Sequence, residues 1–111
     1  MSTYFPDRWV ILKIRADGET FYKVLAGWYG GYCGSDTWQM NSGIVKWEEL
    51  KDEYVFHGAS GSQYICHKQC EDFTSLSRDI YLNFRKQLRD TYKGKMDRVK
   101  MSAFKRVKFN D

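Results

Sequence analysis

The residues best suited to covalent or metal chemistry are three cysteines and two histidines: Cys33, His57, Cys66, His67 and Cys70. Cys66, His67 and Cys70 cluster, and Cys33 arriving as a fourth ligand would complete a tetrahedral zinc site. The spacing argues against it. Cys66 and His67 are adjacent, so on a strand they point to opposite faces, and there is no paired Cys-x-x-Cys. Buried free thiols are the plainer reading, because cysteine is among the most often buried residue types. Nucleophilic catalysis would need one of these thiols or a nearby serine with a histidine base, His57 and His67 facing each other across the glycine-rich turn between them. The sequence offers no third orienting group, and GASGS lacks the lysine and following helix of a phosphate-binding loop. The expectation is a protein that is not an enzyme and uses no metal and no cofactor.

Recognition chemistry is better represented. Residues 1 to 77 hold seven Lys and Arg against ten Asp and Glu, and residues 78 to 111 hold eleven against four, so a formal charge of +4 splits into −3 and +7. Such asymmetry points to a polyanionic or acidic partner at the C-terminal part. A solvated helix face, or pairing of the acidic body with the basic tail, are the plainer alternatives. Arg85, Lys86, Arg89 and Lys93 are the nucleic-acid candidates; Lys86, Arg89 and Lys93 follow i, i+3, i+7 and align along one helix side.

The second recognition candidate is KVLAGWYGGYCGSDTWQMNSGIVKW, residues 23 to 47, where Trp28, Tyr29, Tyr32 and Trp38 are interleaved with Gly27, Gly30, Gly31 and Gly34. Glycine weakens strand interiors and marks bulges and tight bends, so this is a bent connection. Either the rings pack over the glycines as a structural corner, or they line a concave surface whose anchors are Trp28, Tyr29, Tyr32 and Trp38.

The elements that must position these residues follow from periodicity. WVILKIR at 9 to 15 is a strand with Val10, Leu12 and Ile14 on one face, and Asp17-Gly18 is a type I′ hairpin signal leading to FYKVLAG at 21 to 27. Trp9 meets Phe21 or Tyr22 across that pair if the register allows. DTWQM at 36 to 40 and IVKWEEL at 44 to 50 read as further strands around Asn41-Ser42-Gly43, and EYVFHG at 53 to 58 with SQYICHK at 62 to 68 make a second hairpin. From Thr74 the period lengthens: Leu76, Ile80, Phe84 and Leu88 recur every fourth residue with Tyr81 alongside, Thr74 or Ser75 caps the start, and Gly94 ends or bends a helix over about 74 to 92. The remaining residues fit a short amphipathic helix on Met96, Val99, Ala103 and Val107, or an edge strand at FKRVKF.

DRWVILKI, YKVLAGWYGGY, DTWQMNSGI and YVFHGASGSQYICHK, spanning about residues 7 to 68, resemble a family of small uncharacterised bacteriophage-encoded proteins. The resemblance brings no catalytic residues with it. It implies a genomic setting, in which small accessory proteins commonly bind and inhibit or redirect a host factor, defence systems included.

The sequence therefore predicts an α+β domain over residues 1–92: a twisted, mostly antiparallel sheet of about five strands, open or rolled toward a small barrel, with an amphipathic helix packed across it. Residues 93–111 form a basic C-terminal extension. With no apolar run long enough for a membrane span and no signal-peptide layout at MSTYFPDR, the expected location is the bacterial host cytoplasm. The leading function is a non-enzymatic phage accessory protein that binds a host bacterial protein through the aromatic corner. The alternative is nucleic-acid binding by the basic helix, and a third reading is a sponge for a nucleotide ligand.

Overall fold

Trp9, Val10, Ile11 and Leu12 are all fully buried, which requires a strand covered on both faces. The structure is a computed structural model that describes residues 2–30 and 34–108. The buried run belongs to β2 (Arg8–Ala16), which follows the two-residue β1 (Thr3–Tyr4) and pairs antiparallel with β3 (Glu19–Trp28). Asp17 and Gly18 join them with φ of 54° and 76°, the positive pair that a type I′ turn demands. β4 (Thr37–Met40) extends the sheet beside β3, and β5 (Ile44–Glu49), β6 (Glu53–Gly58) and β7 (Gln63–His67) form a separate meander.

Among the described residues there are thus, with β8 (Lys95–Val99), eight strands in two four-stranded sheets, ordered β4-β3-β2-β8 and β1-β7-β6-β5, rather than about five in one. Neither sheet closes into a barrel. All pairings between these strands are antiparallel except β1 with β7, and an isolated parallel bridge joins Trp9 to Glu71. The chain crosses between sheets at Asn41. Its backbone N–H donates to the Val24 carbonyl (3.0 Å) and its side-chain Oδ1 accepts from the Val24 N–H (2.8 Å), so one asparagine completes the β3 ladder and frees the chain to leave.

Between the sheets lies an aromatic core. Trp9 and Ile11 of β2 meet Tyr54, Phe56 and Tyr64 of the second sheet, and the Trp9 indole N–H donates to the His67 carbonyl at 2.7 Å. Trp9 stands opposite Ala26, so the expected contact with Phe21 or Tyr22 is replaced by rings from the other sheet.

The other face of β2, Val10, Leu12 and Ile14, is covered by α1 (Ser75–Tyr92). Thr74 caps it in a reciprocal box with Ser77. Gly27 lets this cap sit on β3, since a Cβ there would lie 2.8 Å from the Thr74 methyl. The apolar stripe is displaced from the expected line: Ser77 and Tyr81 are buried, and Leu76, Ile80, Phe84 and Leu88 are only partly covered. Tyr81 takes the centre because its ring stacks on Phe73 (5.2 Å) and its hydroxyl accepts the Arg98 N–H (3.1 Å). The helix ends at Lys93, left-handed with φ 54°. Gly94 is required for space instead: a Cβ would lie 2.8 Å from Leu88 and 2.9 Å from the Arg15 carbonyl.

The segment read as an extension is built into the fold. β8 (Lys95–Val99) pairs antiparallel with β2, and the single-turn α2 (Met101–Phe104) inserts between the sheets. Phe104 is fully buried against Tyr22, Trp47 and Phe56, at ring separations of 5.3, 5.9 and 6.1 Å. Neither sequence option for this stretch anticipated a strand followed by one helical turn. Glu49 joins the turn after β7 to the end of α2, through Lys68 (2.7 Å) and the C-cap Lys105 (3.3 Å), whose hydrogen bonds hold its carboxyl below the usual range. No helix among the described residues is long and apolar enough to cross a membrane.

Candidate polyanion-binding face

The outer side of α1 is a continuous exposed row. Arg78, Leu82, Arg85, Lys86, Arg89 and Lys93 recur at i, i+4, i+7, i+8, i+11 and i+15, a helical spacing that stacks them on one side over about 22 Å. The row exists because Ser77, Tyr81, Phe84 and Leu88 turn inward and hold the helix in one rotation about its axis. All four basic candidates from the sequence, Arg85, Lys86, Arg89 and Lys93, are therefore brought onto this side of the helix.

Two acids temper the charge. The Arg85 guanidinium approaches Asp97 at 3.2 Å, with Lys95 at 3.8 Å on the same carboxylate, and Arg89 approaches its neighbour Asp90 at 3.2 Å. These pairs are solvent-exposed, so they are screened and exchange readily for other anions. Among the described residues, Arg15, Lys86 and Lys93 make no ion pair. The Arg85 guanidinium also lies over the Tyr81 ring, 6.0 Å from its centroid, a cation–π contact. Part of the row serves the helix itself, because cations in the last turn offset its carbonyl dipole.

The aromatic candidates are divided. In the β3–β4 register Trp38 stands opposite Gly27 and Trp28 opposite Thr37, so the two indoles leave opposite faces of their sheet. Trp28 packs on the inter-sheet core edge-on to Tyr4 (6.4 Å) and donates its N–H to the Phe5 carbonyl (2.9 Å). Trp38 turns to the helix layer and meets Phe84 edge-on at 5.7 Å, with 36% of its surface exposed. Tyr29 is half exposed, its backbone N–H held by Asp7 at 2.8 Å. Tyr32 lies outside the described residues, as does Cys33. The ring-rich stretch thus reaches the basic helix through Trp38.

The thiol and imidazole candidates are dispersed. Cys66 is fully buried in the inter-sheet core, where burial pushes its thiol pKa far up and leaves it unreactive. His67 is exposed, and its Nδ1 accepts the Gln69 N–H (3.1 Å) to cap the 3-10 turn Lys68–Cys70. His57 contacts Glu48 at 2.7 Å, and that hydrogen bond lowers the glutamate pKa. In register His57 faces Gln63 and His67 faces Glu53, so the histidines do not face each other across the hairpin. Among the described residues no three His, Cys, Asp or Glu side chains gather as a metal-holding group.

Three residues beside the basic row were missed in the sequence. Arg15 and Lys95 stand directly opposite each other in the β2–β8 register, and Tyr92, at 65% exposure, closes the helix. Alternation places Arg15 on the strand, but its partner is visible only once β8 is known. Compared with known proteins, the chain matches no family model, no curated protein and no solved structure.

Proposed function

We propose that this is a non-enzymatic binding protein whose partner is nucleic acid, held along the outer side of α1. The observation that supports the reading most strongly is the row of five cations, Arg78, Arg85, Lys86, Arg89 and Lys93, set on one helix and shared with a single apolar residue, Leu82. Phosphates reward such a row by releasing counterions, and its positive field would speed encounter. Fluorescence anisotropy with labelled DNA and RNA tests it. Replacing Lys86, Arg89 and Lys93 together by glutamate is expected to weaken binding steeply and to flatten the dependence of log affinity on log salt by about two to three in the residual complex. Salt-independent binding by the native chain, or full affinity in the triple variant, would remove the proposal.

A second reading is favoured by Tyr29 and Trp38, exposed at 51% and 36%. Here the protein is a bacteriophage accessory factor that docks on a host bacterial protein through these rings and inhibits or redirects it. Trp38→Ala would then weaken capture of that partner in nuclease-treated lysate, and the basic-row variants would not.

A further inference from the structure

The chain folds a second feature against the basic row. Three shallow depressions, about 280, 270 and 280 Å³, surround the C-terminal end of α1. The first lies between Arg15, Lys93 and Lys95. The second is bounded by Arg85, Arg89 and Lys95 over Met96, and the third by Phe84, Leu88 and Tyr92 over the same methionine. Lys95 lines the first two and Met96 the last two, so each depression shares a lining residue with the next, two of them cationic and one apolar.

Two features of the backbone create this arrangement. Lys93 is left-handed and Gly94 has no room for a side chain, so the chain turns back tightly from α1 into β8. The β2–β8 register then sets Lys95 directly opposite Arg15. Like charges in directly opposed positions destabilise a strand pair, and an anion between them removes that penalty. Asp17 and Glu19 also line the first depression and leave it with a small net positive charge; the second is lined by no acid, but its Arg85 and Lys95 already meet Asp97 and its Arg89 meets Asp90 in exposed pairs that a phosphate must displace.

We infer that this end of the protein binds single-stranded nucleic acid in preference to duplex, with backbone phosphates in the two cationic depressions and one unpaired base against Tyr92 in the apolar one. The inference rests on the nucleic-acid reading and narrows it. A duplex keeps its bases stacked and paired, so none can enter a recess floored by Met96 and walled by Phe84 and Leu88. A single strand offers a free ring face, and stacking on an exposed aromatic tolerates any sequence. The alternation of cation and ring is the pattern that a strand of phosphates and bases requires.

The test is anisotropy of the full chain with a single-stranded oligothymidylate of about 12 nucleotides and with a hairpin duplex of the same length, titrated from about 50 to about 200 mM salt. The single strand is expected to bind at least about tenfold more tightly. Tyr92→Ala should cost about tenfold on the single strand and nothing on the duplex, Tyr92→Phe should restore binding, and Lys95→Glu should weaken both. Tyr92 is mostly exposed, so its variants are expected to keep the native melting temperature, checked by circular dichroism. Equal affinity for both forms, or indifference to Tyr92→Ala, overturns the inference and leaves the nucleic-acid reading standing. Binding of neither form overturns both, and complete competition by a nucleoside monophosphate at equal phosphate concentration overturns the inference in favour of a free nucleotide ligand.

Discussion

Residues 23–47 and residues 78–108 make opposite use of conspicuous chemistry. The first region gathers rings within a short stretch of sequence, and the register of one strand pair sends them to different layers, Trp28 to the inter-sheet core and Trp38 to the helix. The second spreads its charges over many residues, and one helix gathers them again on a single side. Proximity along the chain is a poor guide to a shared surface when the backbone is extended, because successive side chains alternate; at helical spacing distant residues stack. The C-terminal region also does what the aromatic region was expected to do, since Phe104 supplies the ring at the centre of the core.

The sharpest way to break this comparison is to truncate that ring. Phe104→Ala is expected to cost about 3–5 kcal/mol, read by urea unfolding; a loss below about 1 kcal/mol would return residues 95–108 to the role of an appendage. Phe84, one of the four residues of the helix stripe read from the sequence, is only partly buried, and Phe84→Ala should cost clearly less than Phe104→Ala in the same assay.

The two tryptophans give the next largest effect. Trp28→Ala removes a half-buried ring and leaves the Phe5 carbonyl without its donor, for about 2–3 kcal/mol. Trp38→Ala removes a ring on the rim, for about 1 kcal/mol. Equal losses would mean that the two indoles share one environment, against the register that separates them.

The smallest effect concerns Glu49. The folded-state pKa of Glu49 lies below its ordinary value of 4.5, so its contribution is complete above that value and is lost as pH falls through the lowered one. Native protein should melt slightly above Glu49→Gln at neutral pH, and the gap should close as the pH falls below the ordinary carboxylate value. A gap that persists in acid would assign the effect to packing instead of charge.

Much of this fold is written locally. The Asp17-Gly18 turn, the bounds of β6 and the Thr74 cap each depend on residues within a few positions, and each is found where the sequence puts it. β8 escapes because KMDRV offers one buried side chain, Met96, between charged neighbours, and its strand identity comes from β2 beside it. The division into two sheets escapes for the same reason: alternation reports which face is apolar but not what covers it. The basic row follows from helical periodicity alone, whereas Arg15 joins it only through a register linking residues about eighty positions apart.

That pairing also governs when the protein can fold. β2 is an interior strand, yet one of its two neighbours is β8, near the C-terminal end of the described chain. During synthesis the first hairpin forms early with one edge of β2 open and a run of four core residues uncovered. Closure waits until β8, about eighty residues later, has left the ribosome, because long-range pairing cannot precede its partner. A chain cut short before Lys95 would present a bare, apolar strand edge, a substrate for chaperones and proteases. The strand that seals the sheet is also the one that delivers Lys95 beside Arg15, so the closed sheet and the cationic pair arise in the same step.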